Sequence, residues 1–535
     1  MKKNFSVVYK SLNQLAAIFD DTSAALKEEK LGYLTKMQLP LGNLLLLYHD
    51  LLLFLCAYPD NAGTKQLAEK ELKRIAAHAK KHAAKLPYNE GLPYTYILTR
   101  FSPDFLRWLI KHEDIRVEFD SFYEPGLNLN EVLNITLPTL FKAETTAGLT
   151  NEELLGQLGV KQEQYIPFLL GQVETLYERP LLKELFNEKL DVYVKLHPKN
   201  EKFSKANNRI TVNDFYYHSN LLKKFDAGQL ISEPLPAAVI PAQTERDELY
   251  KCIRNAMALT VREIDPATFL QANTTRLYDV GRGLILSVYS MLPERQLPLE
   301  TYFGFTFFKN GIPVSYGGVW AFGKLARLGL NIFEPYRSGE SGYLLCQLIR
   351  VFRQAMGNTY FEIEPYQFGL DNPGGIKSGA FWFYHKFGFR PVDKELKKLA
   401  ADEYQKITGR KNYRSSEKTL MRFTENNIAL NLLNEAPPLD VLVINRKVLA
   451  AIKRSWEFNY AAARQNAVDD FCNQTALDAA SLNPVQKNTL EELALWAMAY
   501  KINQPEKLKL MKEMLFLKTS NDYAYQELLL KFFSL

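Results

Sequence analysis

The dipeptide Asn310-Gly311 lies between two strand-like runs, 301–308 (TYFGFTFF) and 312–322 (IPVSYGGVWAF). Both residues accept positive φ, and Asn-Gly between such runs is the strongest short-range hairpin signal a sequence carries. The middle of the chain is therefore expected to hold an antiparallel sheet. Gly317-Gly318 inside the second run predicts a bulge or a close backbone approach. A third strand at 328–333 extends the meander, an amphipathic helix follows at 343–356 (YLLCQLIRVFRQAM), and 359–365 (TYFEIEP) reads as another strand. Strand, helix, strand in that order predicts a right-handed parallel crossover. Upstream, Asp265-Pro266-Ala267-Thr268 follows ALTVREI and reads as a helix start with Asp as N-cap and Pro at the first helical position. That places a first strand near 259–264 and helical sequence from 266 to 291.

The flanks read differently. A chain of 535 residues exceeds one core and, at about 150 residues per domain, suggests roughly three. Residues 1–235 show apolar spacing of three and four, read as without strand-like alternation of any length, and are expected to form a helical domain. Within it, 44–57 (LLLLYHDLLLFLCA) is too short to span a bilayer and carries His49 and Asp50, so it reads as a buried helix. Thr150 with Glu153 fits a capping box ahead of LLGQL. Three prolines in ISEPLPAAVIPAQTER mark a linker at 236–247, and NEAPPL marks a second break before 440. Helical periodicity returns over 440–535, with Trp456, Phe458, Leu493, Trp496, Met511 and Leu515 as core residues. The expected class is α+β multidomain: helical 1–235, mixed α/β 248–426, helical 440–535.

Charge says little. Lys and Arg number 66 against 60 Asp and Glu, an excess too small to indicate by itself a nucleic-acid or anionic-membrane partner. Cys56, Cys252, Cys346 and Cys472 lie far apart, which excludes a Cys-x-x-Cys site and reads as buried thiols in a reducing compartment. The amino terminus MKKNFSVVYKSLNQ lacks an apolar signal core, so a cytoplasmic protein without a membrane span is expected. His78 and His82, four apart within the basic stretch 65–85, have no acidic or Cys partner at metal spacing and read as a solvated helix face; no metal is expected. Gly281-Arg282-Gly283 lacks the third glycine of a dinucleotide fingerprint and reads as a helix cap or packing element.

Two segments carry chemistry. In 335–343 (PYRSGESGY) small residues stand where a helix begins, leaving successive amides free to surround an anion, with Arg337 as a mobile positive charge. In 378–391 (SGAFWFYHKFGFRP), Ala380, Phe383, Tyr384, Gly388 and Phe389 make a second signature. Together they resemble the GNAT superfamily of acyl-coenzyme A-dependent N-acyltransferases. The family's loop runs Arg or Gln, two residues, Gly, one residue, Gly or Ala; Arg337 and Gly342 match it. Glu340 stands at the first loop glycine, and Lys377 at the Asn that often precedes the Ala. The resemblance covers about residues 245–425.

That resemblance implies that Arg337, Ser338, Gly339, Ser341, Gly342 and Tyr343 hold the pyrophosphate of acetyl-coenzyme A or another acyl-coenzyme A. It further implies a pantetheine arm along the splayed strands 328–333 and 359–365, and direct attack by an amine, whose acceptor molecule extends in size up to a protein. Tyr384 occupies the position that commonly protonates the leaving thiolate; read from the residues alone, it is equally a buried aromatic. For the base, a period of two puts Glu362 and Glu364 on one strand face. The alternative for these acids is pairing with a cation on a neighbouring strand, such as Arg327. Glu334 is a lesser candidate, and His385, about 100° round the helix from Tyr384, reads as solvent-facing. Two other readings stand beside the enzyme: a non-catalytic scaffold whose helical domains bind a protein, and a same-fold transferase using aminoacyl-tRNA.

Overall fold

The protein is represented by a computed structural model that describes residues 4–142, 145, 148–176 and 180–535. Lys2 and Lys3 of the amino-terminal reading lie outside the described residues. The chain divides into two units, one of Met1–Asn220, Asp247–Thr268 and Asn310–Pro313, the other of Leu221–Arg246, Phe269–Lys309 and Val314–Leu535.

The first unit holds the expected buried helix, Asn43–Ala57, in which every residue from Leu51 to Ala57 is inaccessible. Its amino-terminal half is less covered, with Leu47 exposed, whereas the run apolar on every side lies in the core. The capping box is also present: the Thr150 amide donates to the Glu153 carboxylate at 2.9 Å and the Glu153 amide to the Thr150 hydroxyl at 3.3 Å. The purely helical reading needs correction, because β1 (Ile97–Thr99), β2 (Ile115–Phe122) and β3 (Val192–Pro198) form an antiparallel sheet in the order β1-β3-β2. The signal was there. Ile115, Val117 and Phe119 alternate with Arg116, Glu118 and Asp120, and Val192, Val194 and Leu196 keep the same period of two.

The second unit is built on an eight-stranded sheet. Its strands are β4 (Arg276–Asp279), β5 (Leu284–Ser290), β6 (Thr301–Lys309), β7 (Ile312–Phe322), β8 (Leu325–Ile332), β9 (Tyr360–Ile363), β10 (Arg390–Pro391) and β11 (Ile428–Asn431), in the order β10-β11-β9-β8-β7-β6-β5-β4. Asn310 and Gly311 turn the chain between β6 and β7 with φ of 48° and 81°, as their residue types require. Gly317 and Gly318 mark a close approach and not a bulge. Pairing of β7 with β8 is unbroken from Ser315↔Ile332 to Phe322↔Leu325. A Cβ on Gly317 would meet the Gly329 carbonyl, and one on Gly318 the Tyr302 ring. Strands β8 and β9 are parallel and are joined through the helix Ser341–Met356, the expected crossover.

The start of this unit was misread. Residues 259–264 form no strand: the helix Gln243–Leu259 ends there and Val261 takes φ of 53°. Nor is 266–291 helical beyond the turn Asp265–Thr268 and the 3-10 turn Ala272–Thr274, since β4 and β5 follow. Gly281-Arg282-Gly283 is neither cap nor spacer; with φ of 83°, 59° and 67° it reverses the chain between these two strands. Within 236–247, Val239 bridges Leu277 at the edge of β4.

At the carboxyl end, Leu493, Trp496, Met511 and Leu515 join Leu299 and Phe322 in one core, so the helices pack directly on the sheet. Trp456 is only half-buried and Phe458 is exposed, contrary to expectation. The cysteines are free; Cys56, Cys252 and Cys346 are buried and Cys472 half-buried. Burial pushes the Cys56 and Cys346 thiols up to about 12. Among the described residues, no helix is long and apolar enough to cross a membrane.

Candidate functional site

Strand β8 and the helix Ser341–Met356 are connected by the short 3-10 turn Glu334–Tyr336 and the loop that follows it. Glu340 stands at the N-cap but its side chain does not cap the helix. The first-turn amides of Ser341, Gly342 and Tyr343 therefore lack the side-chain acceptor that most helix starts provide. The Glu340 carboxylate turns into the protein instead. It accepts from Lys309 Nζ at 2.8 Å, from Arg282 Nη2 at 2.9 Å and from the Leu222 amide at 2.9 Å. Burial works to raise its pKa, yet Lys309 and the Leu222 N–H outweigh that and hold it below the usual carboxylate range. Burial lowers Lys309 to about 8 against the attraction of Glu340. The acid that departs from the loop pattern is thus paired with two cations and turned away from the helix start.

The other loop residues divide by their contacts. Arg337 and Ser338 are exposed; Arg337 Nε reaches only the Ile332 carbonyl, at 3.4 Å. Gly339 is buried and donates its amide to Tyr336 at 3.0 Å, inside the turn. Ser341 Oγ donates to the Arg337 carbonyl at 3.2 Å. A Cβ at Gly342 would collide with the Phe387 ring, so this glycine serves packing. Tyr343 is buried, with its hydroxyl on the Val280 carbonyl at 3.1 Å. Phe225 packs against both the Tyr343 and Phe387 rings, which holds its segment beside the helix start.

The parallel pair opens next to this loop. Strand β8 meets β9 only at Leu325↔Tyr360, Ala326↔Phe361 and Arg327↔Glu362, whereas its other edge stays paired with β7 as far as Ile332. From Leu328 onward, among the described residues, no strand covers the β9 side of β8. Gln367 lies against this stretch, its Nε2 being 3.0 Å from where a Cβ on Gly329 would stand.

The two acids on β9 part company here. Glu362 accepts from Arg327 Nε at 3.1 Å and from Asn427 Nδ2 at 3.1 Å. Arg327 also binds Glu300, at 3.2 Å, and Asp440. Pairing with Arg327, one of the two readings of the sequence, is what the parallel register produces for Glu362. Glu364 lies just beyond the strand end and is exposed, as is Glu334. Tyr384, on the helix Ala380–Lys386, is buried beside Phe383 and Phe389, and its hydroxyl makes no hydrogen bond among the described residues. Burial raises its phenol above the ordinary value. His385 is buried, not solvent-facing: its ring lies against Phe381, Trp382 and Tyr404. Burial first, and Arg390 second, lower it to about 4. Lys377 is exposed.

Sequence reasoning missed Lys309, Arg282, Phe387 and Gln367. Phe387 and Arg282 sat inside motifs that were read for other reasons, and no spacing rule links Lys309 or Arg282 to a loop 31 or 58 residues away. The His78 and His82 rings lie 4.6 Å apart, tilted by 48°, and among the described residues no group of three or more potential metal ligands occurs. Comparison of the chain with protein-family models, with curated proteins and with solved structures returned no match in any of the three.

Proposed function

We propose that the second unit is a GNAT-like domain acting as an acyl-coenzyme A-dependent N-acyltransferase on an amine. The observation that carries this reading is the parting of β8 from β9 beside a helix whose N-terminus has no side-chain cap. An open β edge offers backbone hydrogen bonds to an amide-bearing arm, and free helix amides offer an anion site. The residues fit such a group once Glu340 is seen to be neutralised: Arg337 and the amides of Ser338, Ser341, Gly342 and Tyr343 would hold the pyrophosphate. When bound, the coenzyme supplies a thioester activated toward amines.

The chain's own groups then divide the proton work. Tyr384 keeps its proton at neutral pH, because a buried phenol without a hydrogen-bond donor resists ionisation, and is thereby a donor at its hydroxyl. Glu362 is committed to Arg327 and Asn427. Glu364, exposed and outside that cluster, is the acid left to take a proton from the amine. Titration calorimetry with coenzyme A and acetyl-coenzyme A tests the reading. Binding weakened by Arg337→Ala supports it, and absence of binding at millimolar ligand overturns it. Tyr384→Phe is expected to lower turnover by about a hundredfold at unchanged coenzyme affinity. The scaffold reading has one observation in its favour, the Gln367 side chain lying in the opening, and failure of both ligands to bind would select it.

A further inference from the structure

The helix Val441–Trp456 buries Val441, Ile444 and Ile452, the first two in the carboxy-terminal core with Val448 packed against it, and exposes the opposite side to solvent. That outer face is unusual in what it mixes. Leu442, Val443 and Leu449 are 54%, 47% and 46% exposed, and Arg446, Lys447, Lys453 and Arg454 are exposed among them. At 100° per residue, Leu442, Arg446, Leu449 and Lys453 fall on one stripe, with Val443, Lys447 and Arg454 along one side of it. No acidic residue occurs between Val441 and Trp456. Asp440, which precedes the helix, is turned to Arg327.

The helix ends in strain. Glu457 and Phe458 both take left-handed backbone conformations, with φ of 47° and 66°, which non-glycine residues adopt at a cost. The result is that Phe458 and Tyr460 stand 51% and 54% exposed at the tip, with Lys453 Nζ 5.8 Å from the Phe458 ring.

We propose that this face is a docking surface for an anionic lipid bilayer, on which the helix lies flat with its aliphatic side chains and the Phe458 tip in the interface. Three features choose that occupant. Four cations with no acid on the helix itself, the exposed Glu457 standing only beyond its last residue, complement an anionic headgroup layer. Leu442, Val443 and Leu449 sit among those cations, where a phosphodiester backbone offers them nothing and acyl chains do. The face belongs to one convex helix, whereas a peptide ligand is usually taken in a groove between elements. A flat surface fits a convex one.

The test uses the full chain in sedimentation with vesicles of phosphatidylcholine alone or with about a third phosphatidylserine. Binding is expected to the anionic vesicles only and to fall as salt rises. Arg446→Glu with Lys453→Glu is expected to weaken it more than tenfold, and Leu442→Ser with Leu449→Ser by about tenfold at unchanged charge. Equal binding to neutral vesicles, or no binding to anionic ones, overturns the proposal. So does full binding by the serine variant, which would leave a surface that reads charge alone and suits a nucleic acid. A Phe458→Trp chain gives a readout independent of how the other variants fold: quenching of the new fluorescence by brominated acyl chains supports insertion of the tip, and its absence overturns it.

Discussion

Two buried ionic clusters in the second unit are built in opposite proportion. At the loop, one carboxylate, Glu340, lies between two cations, Lys309 and Arg282. Where β8 and β9 still pair, one cation, Arg327, lies among three carboxylates, Glu300, Glu362 and Asp440. The difference teaches where an anionic ligand is welcome. The first cluster draws its carboxylate away from the uncapped helix amides, and the second surrounds its guanidinium with acid at the closed end of the strand pair. It also teaches which groups are free for chemistry, since Glu362 is committed to the second cluster and Glu364 is not.

The comparison breaks first at its cations. Arg327→Leu removes the positive partner shared by three partly buried acids and is expected to cost about 3–5 kcal/mol in denaturant unfolding. Glu340→Gln takes a charged partner from Lys309, whose side chain is 0% exposed, and is expected to lose about 3 kcal/mol. A Glu340→Gln loss under about 1 kcal/mol would show that Glu340 is not what holds the loop together.

Acid is expected to sharpen the contrast, because the two clusters respond with opposite sign. Glu340 is held below its ordinary value, so its stabilisation is present above the unfolded carboxyl value of about 4.3 and is lost as pH falls through the folded value. Burial raises Glu300, so its protonated form favours the fold, and that contribution is lost as pH rises through the raised value. Thermal midpoints measured from pH 7 downward should therefore fall less steeply in Glu340→Gln than in the parent chain. Glu300→Gln should gain relative to the parent toward neutral pH. Parallel curves for all three proteins would deny both assignments. Smallest of all, Glu362→Gln leaves Arg327 with two carboxylates and keeps an acceptor for Asn427, and is expected to cost about 1 kcal/mol. A loss as large as that from Glu340→Gln would erase the distinction between the clusters.

Much of the fold near the site was legible. Asn310-Gly311, Gly317-Gly318 and the Thr150 capping box all turned out as their residues imply, since each rests on backbone sterics or hydrogen bonds within a few residues. The strands at β2 and β3 were equally local in their alternation and were hidden by the helical spacing around them. Gly281-Arg282-Gly283 failed for another reason: three residues with positive φ define a reversal only when the strands on both sides are known. His385 was misplaced because a helix wheel counts positions on one helix, whereas Trp382 and Tyr404, the latter from the helix Lys394–Gly409, close over that side.

For the candidate site the division is sharper. By itself the sequence determined the hairpin, the strand-helix-strand crossover, the small-residue loop and the buried helix bearing Tyr384, because φ preference and apolar periodicity act over neighbouring residues. Only the tertiary structure decided that Glu340 faces inward to Lys309 and Arg282, that Glu362 is claimed by Arg327 while Glu364 is left exposed, and that β8 leaves β9 after three pairs. A buried charge must find its counter-charge wherever the chain brings one within about 3 Å, and that distance is set by strand register and packing across tens of residues, not by spacing along the chain.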